Sequence, residues 1–122
     1  MTLEIQSKLT EPTTICIILN GELDAVTTPQ LDEFITTKVK TNIKNLIFDL
    51  QTLNFVSSAG LRIFAKARKM MKSREGKIYF INPTPQVKKV FDIVKVVPIS
   101  DVFQSVEELD SYLRKIQSKT TD

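Results

Sequence analysis

With 122 residues, of which 42% are hydrophobic and 25% charged, the chain has the size and composition of one globular domain that buries roughly two thirds of its unfolded surface. It has no histidine and one cysteine, which removes Ser-His-Asp and Cys-His nucleophilic sites, histidine-ligated metals, zinc clusters and an internal disulfide. The net charge of +3 is small and lacks the aromatic interleaving of single-strand binders, and no apolar run approaches the roughly 20 residues that span a bilayer, so no direct nucleic-acid or membrane partner is expected.

The opening Met1-Thr2-Leu3-Glu4-Ile5 has neither a basic nor an apolar leader region, which predicts cytoplasmic residence. Residues 3–8 and 14–20 read as two strands joined around Glu11-Pro12 as a hairpin. The second is almost continuously apolar and is predicted to be central in a sheet. Cys16 lies in that run, Ile15-Cys16-Ile17-Ile18-Leu19, where a buried strand position explains it better than redox or nucleophilic chemistry. Thr28 followed by Pro29 is a helix-start signal, the hydroxyl as cap and the proline at the first helical position. Leu31, Phe34, Ile35 and Val39 then recur at helical spacing and predict helix one.

Residues 45–50 form a short apolar strand. From about Ser58, the positions Gly60, Ile63, Phe64, Ala67, Met70 and Met71 repeat with the helical period, so helix two buries that stripe. Its other faces carry Arg62, Lys66, Arg68, Lys69, Lys72 and Arg74. A basic row of this kind either meets an acidic partner surface or serves solubility alone. After Gly76, residues 77–81 read as a strand. Thr84-Pro85 repeats the cap-plus-proline signal before the apolar positions Val87, Val90, Phe91 and Val94 of helix three. A last short strand is predicted near 97–102. Ser105-Val106-Glu107-Glu108 is a capping box that opens a helix with Leu109, Tyr112, Leu113 and Ile116 inward. The stretch 117–122 is expected to fray.

No repeat, low-complexity tract or linker divides the chain, so residues 1–116 are read as one domain. The order β-β-α-β-α-β-α-β-α predicts an α/β fold with a mixed sheet of four to five strands and about four helices. Right-handed crossovers make the later strands parallel, whereas the first pair is antiparallel.

Three glycines, Gly21, Gly60 and Gly76, are too scattered for a phosphate-cradling loop or a dinucleotide fingerprint, and no G-x-S-x-G surrounds Ser58. A phospho-aspartate receiver would need carboxylates beside Asp49 to hold Mg²⁺. The first two strands end in Lys8 and Asn20 and supply none. What remains is the strand-to-helix passage Asn54-Phe55-Val56-Ser57-Ser58-Ala59-Gly60-Leu61-Arg62. Ser57 or Ser58 can be a plain N-cap. Either can also be a phosphorylation switch, because the first turn of a helix offers unpaired N–H groups and the positive end of the macrodipole to an added phosphate.

Together with Gly21-Glu22-Leu23-Asp24 and Ile47-Phe48-Asp49-Leu50, this passage resembles the STAS family, specifically the bacterial anti-sigma factor antagonists, whose G-E-L-D, D-L and S-S-A-G-L elements occur here in the same order. The resemblance implies a STAS fold and a binding protein, not an enzyme, with no cofactor of its own. It implies phosphorylation at Ser58, two positions before Gly60, with Ser57 as the lesser candidate. Asp24 and Asp49 match the acidic residues of the G-E-L-D and D-L elements. The implied partner-binding set is Asp24, Asp49, Ser57, Ser58, Gly60 and Arg62, although Asp24 could equally cap the following loop or helix. Two departures bear on kinase recognition: Ser57 stands where many members have an acidic residue, and Ala59 where some have a hydroxyl. The resemblance further implies partner switching. The unphosphorylated form would bind an anti-sigma factor that is also a serine kinase of GHKL type, the kinase supplying ATP and Mg²⁺, and a serine phosphatase would reverse the modification. A stand-alone STAS scaffold or ligand-binding module in another signalling complex is the alternative.

Overall fold

The computed structural model describes residues 2–94, 98 and 101–120. Its elements follow the predicted order: β1 (Leu3–Glu11), β2 (Thr14–Leu23), α1 (Thr28–Lys38), β3 (Asn45–Val56), α2 (Ser58–Ser73), β4 (Lys77–Ile81), α3 (Pro85–Val94), β5 (Val102–Phe103) and α4 (Val106–Thr120). The strands lie side by side as β1-β2-β3-β4-β5. The β1/β2 pair is antiparallel, and every later pair is parallel.

β2 is apolar almost throughout because it is flanked on both edges and its alternate residues serve two layers. Ile15, Ile17 and Leu19 face a core shared with Leu31 and Ile35 of α1, Leu61, Phe64, Ala67 and Met71 of α2, and Val87 and Phe91 of α3. The stripe read from the sequence as the buried side of α2 is therefore the one that packs. At its centre the ring of Phe64 lies 5.2 Å from those of Phe48 and Phe80 and 6.0 Å from that of Phe91, within the range of favourable aromatic pairs. The opposite sheet face is covered in part by α4, whose Leu109 joins Tyr79, Ile81 and Phe103 in a second, smaller cluster.

Three strands run further than the sequence pattern indicates. β2 continues through Gly21, whose φ of +117° is open to glycine and costly for other residues. A Cβ there would also drive into the carbonyl of Thr2, which accepts the Glu22 N–H at 3.0 Å. β3 continues to Val56 because its register against β2 shifts between Ile18 and Asn20 and again between Gly21 and Glu22. Its buried positions accordingly change from Leu46, Phe48 and Leu50 to Leu53 and Val56. Such shifts break the two-residue alternation by which a strand is recognised.

The caps divide in the same way. Thr84 Oγ1 accepts from Val87 N–H, and Ser105 Oγ accepts from Glu108 N–H at 3.1 Å, as predicted. Thr28 does not cap α1. It is the first residue of that helix, its hydroxyl donates to the Asp24 carbonyl, and the cap position falls on Thr27. Residues 97, 99 and 100 of the last strand expected near 97–102 lie outside the described residues, as does the side chain of Ile116, and the strand found there is the two-residue Val102–Phe103. α4 itself reaches Thr120, into the stretch expected to fray.

Candidate functional site

The C-terminal ends of β2 and β3 meet where Leu23 pairs with Val56. One residue later the Ser57 N–H donates to the Leu23 carbonyl at 2.8 Å, so the G-E-L-D element is joined directly to the serine pair. Ser57 then takes extended dihedrals as the N-cap of α2, and its hydroxyl accepts from the Gly60 N–H at 3.3 Å. Ser58 is the first helical residue and is exposed. The two roles that the sequence leaves open for a serine at this turn are therefore held by different residues: Ser57 is the cap, and Ser58 presents its side chain to solvent at the positive end of the helix.

Gly60 closes the junction. A Cβ at this position would lie 2.8 Å from Leu23 Cγ and 2.8 Å from Val56 Cγ2, so the glycine lets the first turn of α2 sit against the ends of both strands.

Asp24 is 9% exposed, and its carboxylate is hydrogen-bonded within its own loop. Its Oδ1 accepts from Val26 N–H at 2.9 Å and Thr27 N–H at 3.0 Å, while the Thr27 hydroxyl accepts from the Asp24 N–H and donates to the Glu22 carbonyl. This is the side-chain turn that aspartate makes readily. The Thr27 N–H, followed by that of Val26, holds the carboxyl below its ordinary value of 3.8, against the opposing effect of burial. Asp24 thus fixes the loop between β2 and α1, as the capping alternative requires. The surface next to the serines comes from its neighbours: Val26 is 80% exposed, and Phe55, at the end of β3, is 45% exposed. Sequence reasoning missed both, and the signal for Phe55 was hidden by the register shift in β3.

Arg62 is exposed one helical turn beyond Ser58, a spacing that places the two on one face. The rest of the basic row is partly engaged within the molecule. Lys66 pairs with Asp32 of α1 at 3.0 Å, Arg68 with Asp101 at 3.0 Å, and Arg74 donates to the Lys40 carbonyl. Asp49 does not join the group. It lies inside β3, not at its end, and accepts from Gln51 N–H and Asn82 Nδ2. From Asp49 to Val56 the strand covers roughly 20 Å at the usual rise per residue. The structure therefore brings together Asp24, Ser57, Ser58, Gly60 and Arg62, and places Asp49 elsewhere.

A family model described as the STAS domain matches residues 5–109. The chain belongs to the STAS domain family. Among its relatives, the anti-sigma-B factor antagonist of Staphylococcus aureus is 22% identical over 89 residues, covering 73% of this chain and 82% of that protein. BtrV of Bordetella bronchiseptica is 28% identical over 89 residues, covering 73% and 77%. Of solved structures, the anti-sigma factor antagonist SpoIIAA in its unphosphorylated form superposes with a TM-score of 0.77 at 24% identity, covering 92% of this chain and 97% of that one. The phosphorylated form of the Bacillus cell fate determinant SpoIIAA gives 0.70 at 23%, covering 90% and 99%. The five-stranded mixed sheet with four helices is the fold of that STAS protein, and this chain is a distant homologue of anti-sigma factor antagonists. Among the described residues no group of acidic, cysteine or histidine side chains could hold a metal ion, and no helix is long and apolar enough to cross a membrane.

Proposed function

We propose that this protein is an anti-sigma factor antagonist that acts in the cytoplasm by partner switching, with Ser58 as the phosphate acceptor. The observation that carries the reading is the division of labour at the start of α2. The hydroxyl of Ser58 is exposed at the first helical position and is not needed for the cap, which Ser57 provides. Relatives named for anti-sigma factor antagonism, and a fold neighbour known in unphosphorylated and phosphorylated forms, support it.

In this reading Val26, Phe55, Ser58 and Arg62 form the docking face, while Asp24 and Gly60 shape it from beneath. The partner is an anti-sigma factor that is also a GHKL-type serine kinase. It contributes ATP and Mg²⁺, and this chain contributes the hydroxyl. A phosphate adds about −1.5 to −2 charge at neutral pH. Within a docked face that charge brings desolvation and repulsion, whereas at an exposed helix start it is worth only about 0.3 to 1 kcal/mol in favour of the fold. The modification therefore breaks the complex and spares the domain, and a serine phosphatase restores binding.

The test is to pass native-cell lysate with ATP and Mg²⁺ over immobilised wild type, Ser58→Ala and Ser58→Asp, and to identify retained proteins and modified residues by mass spectrometry. We expect a GHKL-type kinase on Ser58→Ala, its loss by at least about tenfold on Ser58→Asp, and phosphate on wild-type Ser58. Circular dichroism of Ser58→Asp should match that of wild type. Equal retention by all three, with Ser58 unmodified, would instead make the protein a STAS scaffold in another complex.

A further inference from the structure

On the sheet face away from α2, strand register alone builds a platform. Lys8, Cys16, Ile47 and Tyr79 are paired across β1 to β4, with Asp49 and Ile81 in the rung on one side and Asn45 and Lys77 in the rung on the other. α4 covers only part of this face, seating Leu109 and Leu113 over Tyr79, Ile81 and Phe103. Between the helix and the platform a cavity of about 500 Å³ remains, inside the range of small-molecule sites, roughly 300–1,000 Å³.

Its surfaces are apolar where Cys16, Ile47, Tyr79 and Leu113 line it, and three carboxylates line it as well: Glu11 from the end of β1, Asp49 from β3, and Asp110 from the exposed flank of α4 beside Leu109. Both hydrogen bonds recorded for Asp49 fall on Oδ1. The ion pairs among the described residues join Lys66 to Asp32 and Arg68 to Asp101, so none of the three cavity carboxylates is neutralised by one. Lys8 and Lys77 also line the cavity, but their long stems allow the ammonium groups to turn to water, whereas an aspartate is held at the wall. The balance is felt at Cys16, where burial and then Asp49 raise the thiol pKa against a smaller opposing effect of Lys8.

We infer that this cavity binds a small organic cation, a primary amine on an apolar body, with its ammonium between Asp49 and Asp110 and its body against Ile47, Tyr79 and Leu113. The site lies far along β3 from Ser58 and is independent of the phosphorylation reading.

Cys16 is the only cysteine in the chain, and its place on the cavity wall makes it the reporter. The rate at which N-ethylmaleimide alkylates the full-length protein is followed with increasing 2-phenylethylamine, 3-phenylpropionate or 2-phenylethanol, three ligands with similar bodies and different heads. The amine should protect Cys16 saturably and at lower concentration than the other two, and should shift the backbone amide resonances of Ile47 and Tyr79 while leaving that of Ser58 in place. Asp110→Asn, at an exposed helical position that the fold does not need, should weaken the amine at least about fivefold, and Asp49→Asn should do likewise. Equal protection by all three ligands, protection by none, or undiminished amine binding in Asp110→Asn would overturn the inference.

Discussion

A serine pair at a helix entrance can serve as cap, as phosphate acceptor, or as both, and the two residues here can be separated by experiment. Replacing Ser57 by alanine removes the acceptor for the Gly60 N–H and should cost about 1 kcal/mol in urea unfolding. Ser58→Ala, at an exposed position, should stay within about 0.5 kcal/mol of wild type. Equal losses in the two variants would mean that the cap is shared. The sequence could not make this assignment, because either hydroxyl satisfies the cap pattern and a helix boundary read from periodicity is uncertain by more than one residue. Asp24 carries a second expectation. Its carboxyl is held below 3.8 in the folded chain, so its contribution to stability is present above that value and is lost as the pH falls through the lower, folded one. Wild type should therefore lose more stability than Asp24→Asn when urea midpoints are compared between neutral and strongly acidic pH. Parallel loss in both would contradict the role of the Asp24 turn.

Between elements, the tightest fit is the first turn of α2 against the ends of β2 and β3. Gly60→Ala puts a methyl group 2.8 Å from both Leu23 and Val56 side chains, and neither belongs to a flexible surface tail, since Leu23 is wholly buried and Val56 nearly so. Overpacking of this kind costs about 1 to 3 kcal/mol, and a lowered thermal midpoint should appear for Gly60→Ala, with amide exchange accelerated first around 56–60. Helices were legible from the sequence because period and cap agree: Thr84 and Ser105 act as their neighbours predict. Thr28 did not, because the Asp24 turn sets the preceding residue at the cap position. β3 was legible only over its first half, where Ile47 and Asp49 alternate cleanly with Phe48 and Leu50. Beyond Gln51 the register shift moves the buried positions to Leu53 and Val56, so the strand's end, and with it the exposed Phe55, was hidden. The same foreshortening put Asp49 one residue from the end of the strand expected over 45–50, whereas β3 runs on to Val56.

At the scale of the molecule, both clusters of buried side chains are built on one sheet, the larger beneath α1, α2 and α3 and the smaller beneath α4. We expect the chain to unfold in one transition, with the calorimetric and van't Hoff enthalpies equal; a calorimetric enthalpy well above the van't Hoff value would show that α4 melts separately. The alternation of strand and helix signals was enough to read the topology, whereas the cavity under α4 depends on three-dimensional register and on how much of the face one helix covers, which no local pattern encodes. The α4 seat also has an optical consequence. The chain has no tryptophan and two tyrosines, and both belong to this contact: the rings of Tyr79 and Tyr112 are 6.4 Å apart, and each is also close to Phe103. All intrinsic ultraviolet emission above the weak phenylalanine signal therefore originates beside the last helix and none beside Ser58. A change in that emission when a partner docks at the serines would be a direct optical record of one end of the sheet informing the other.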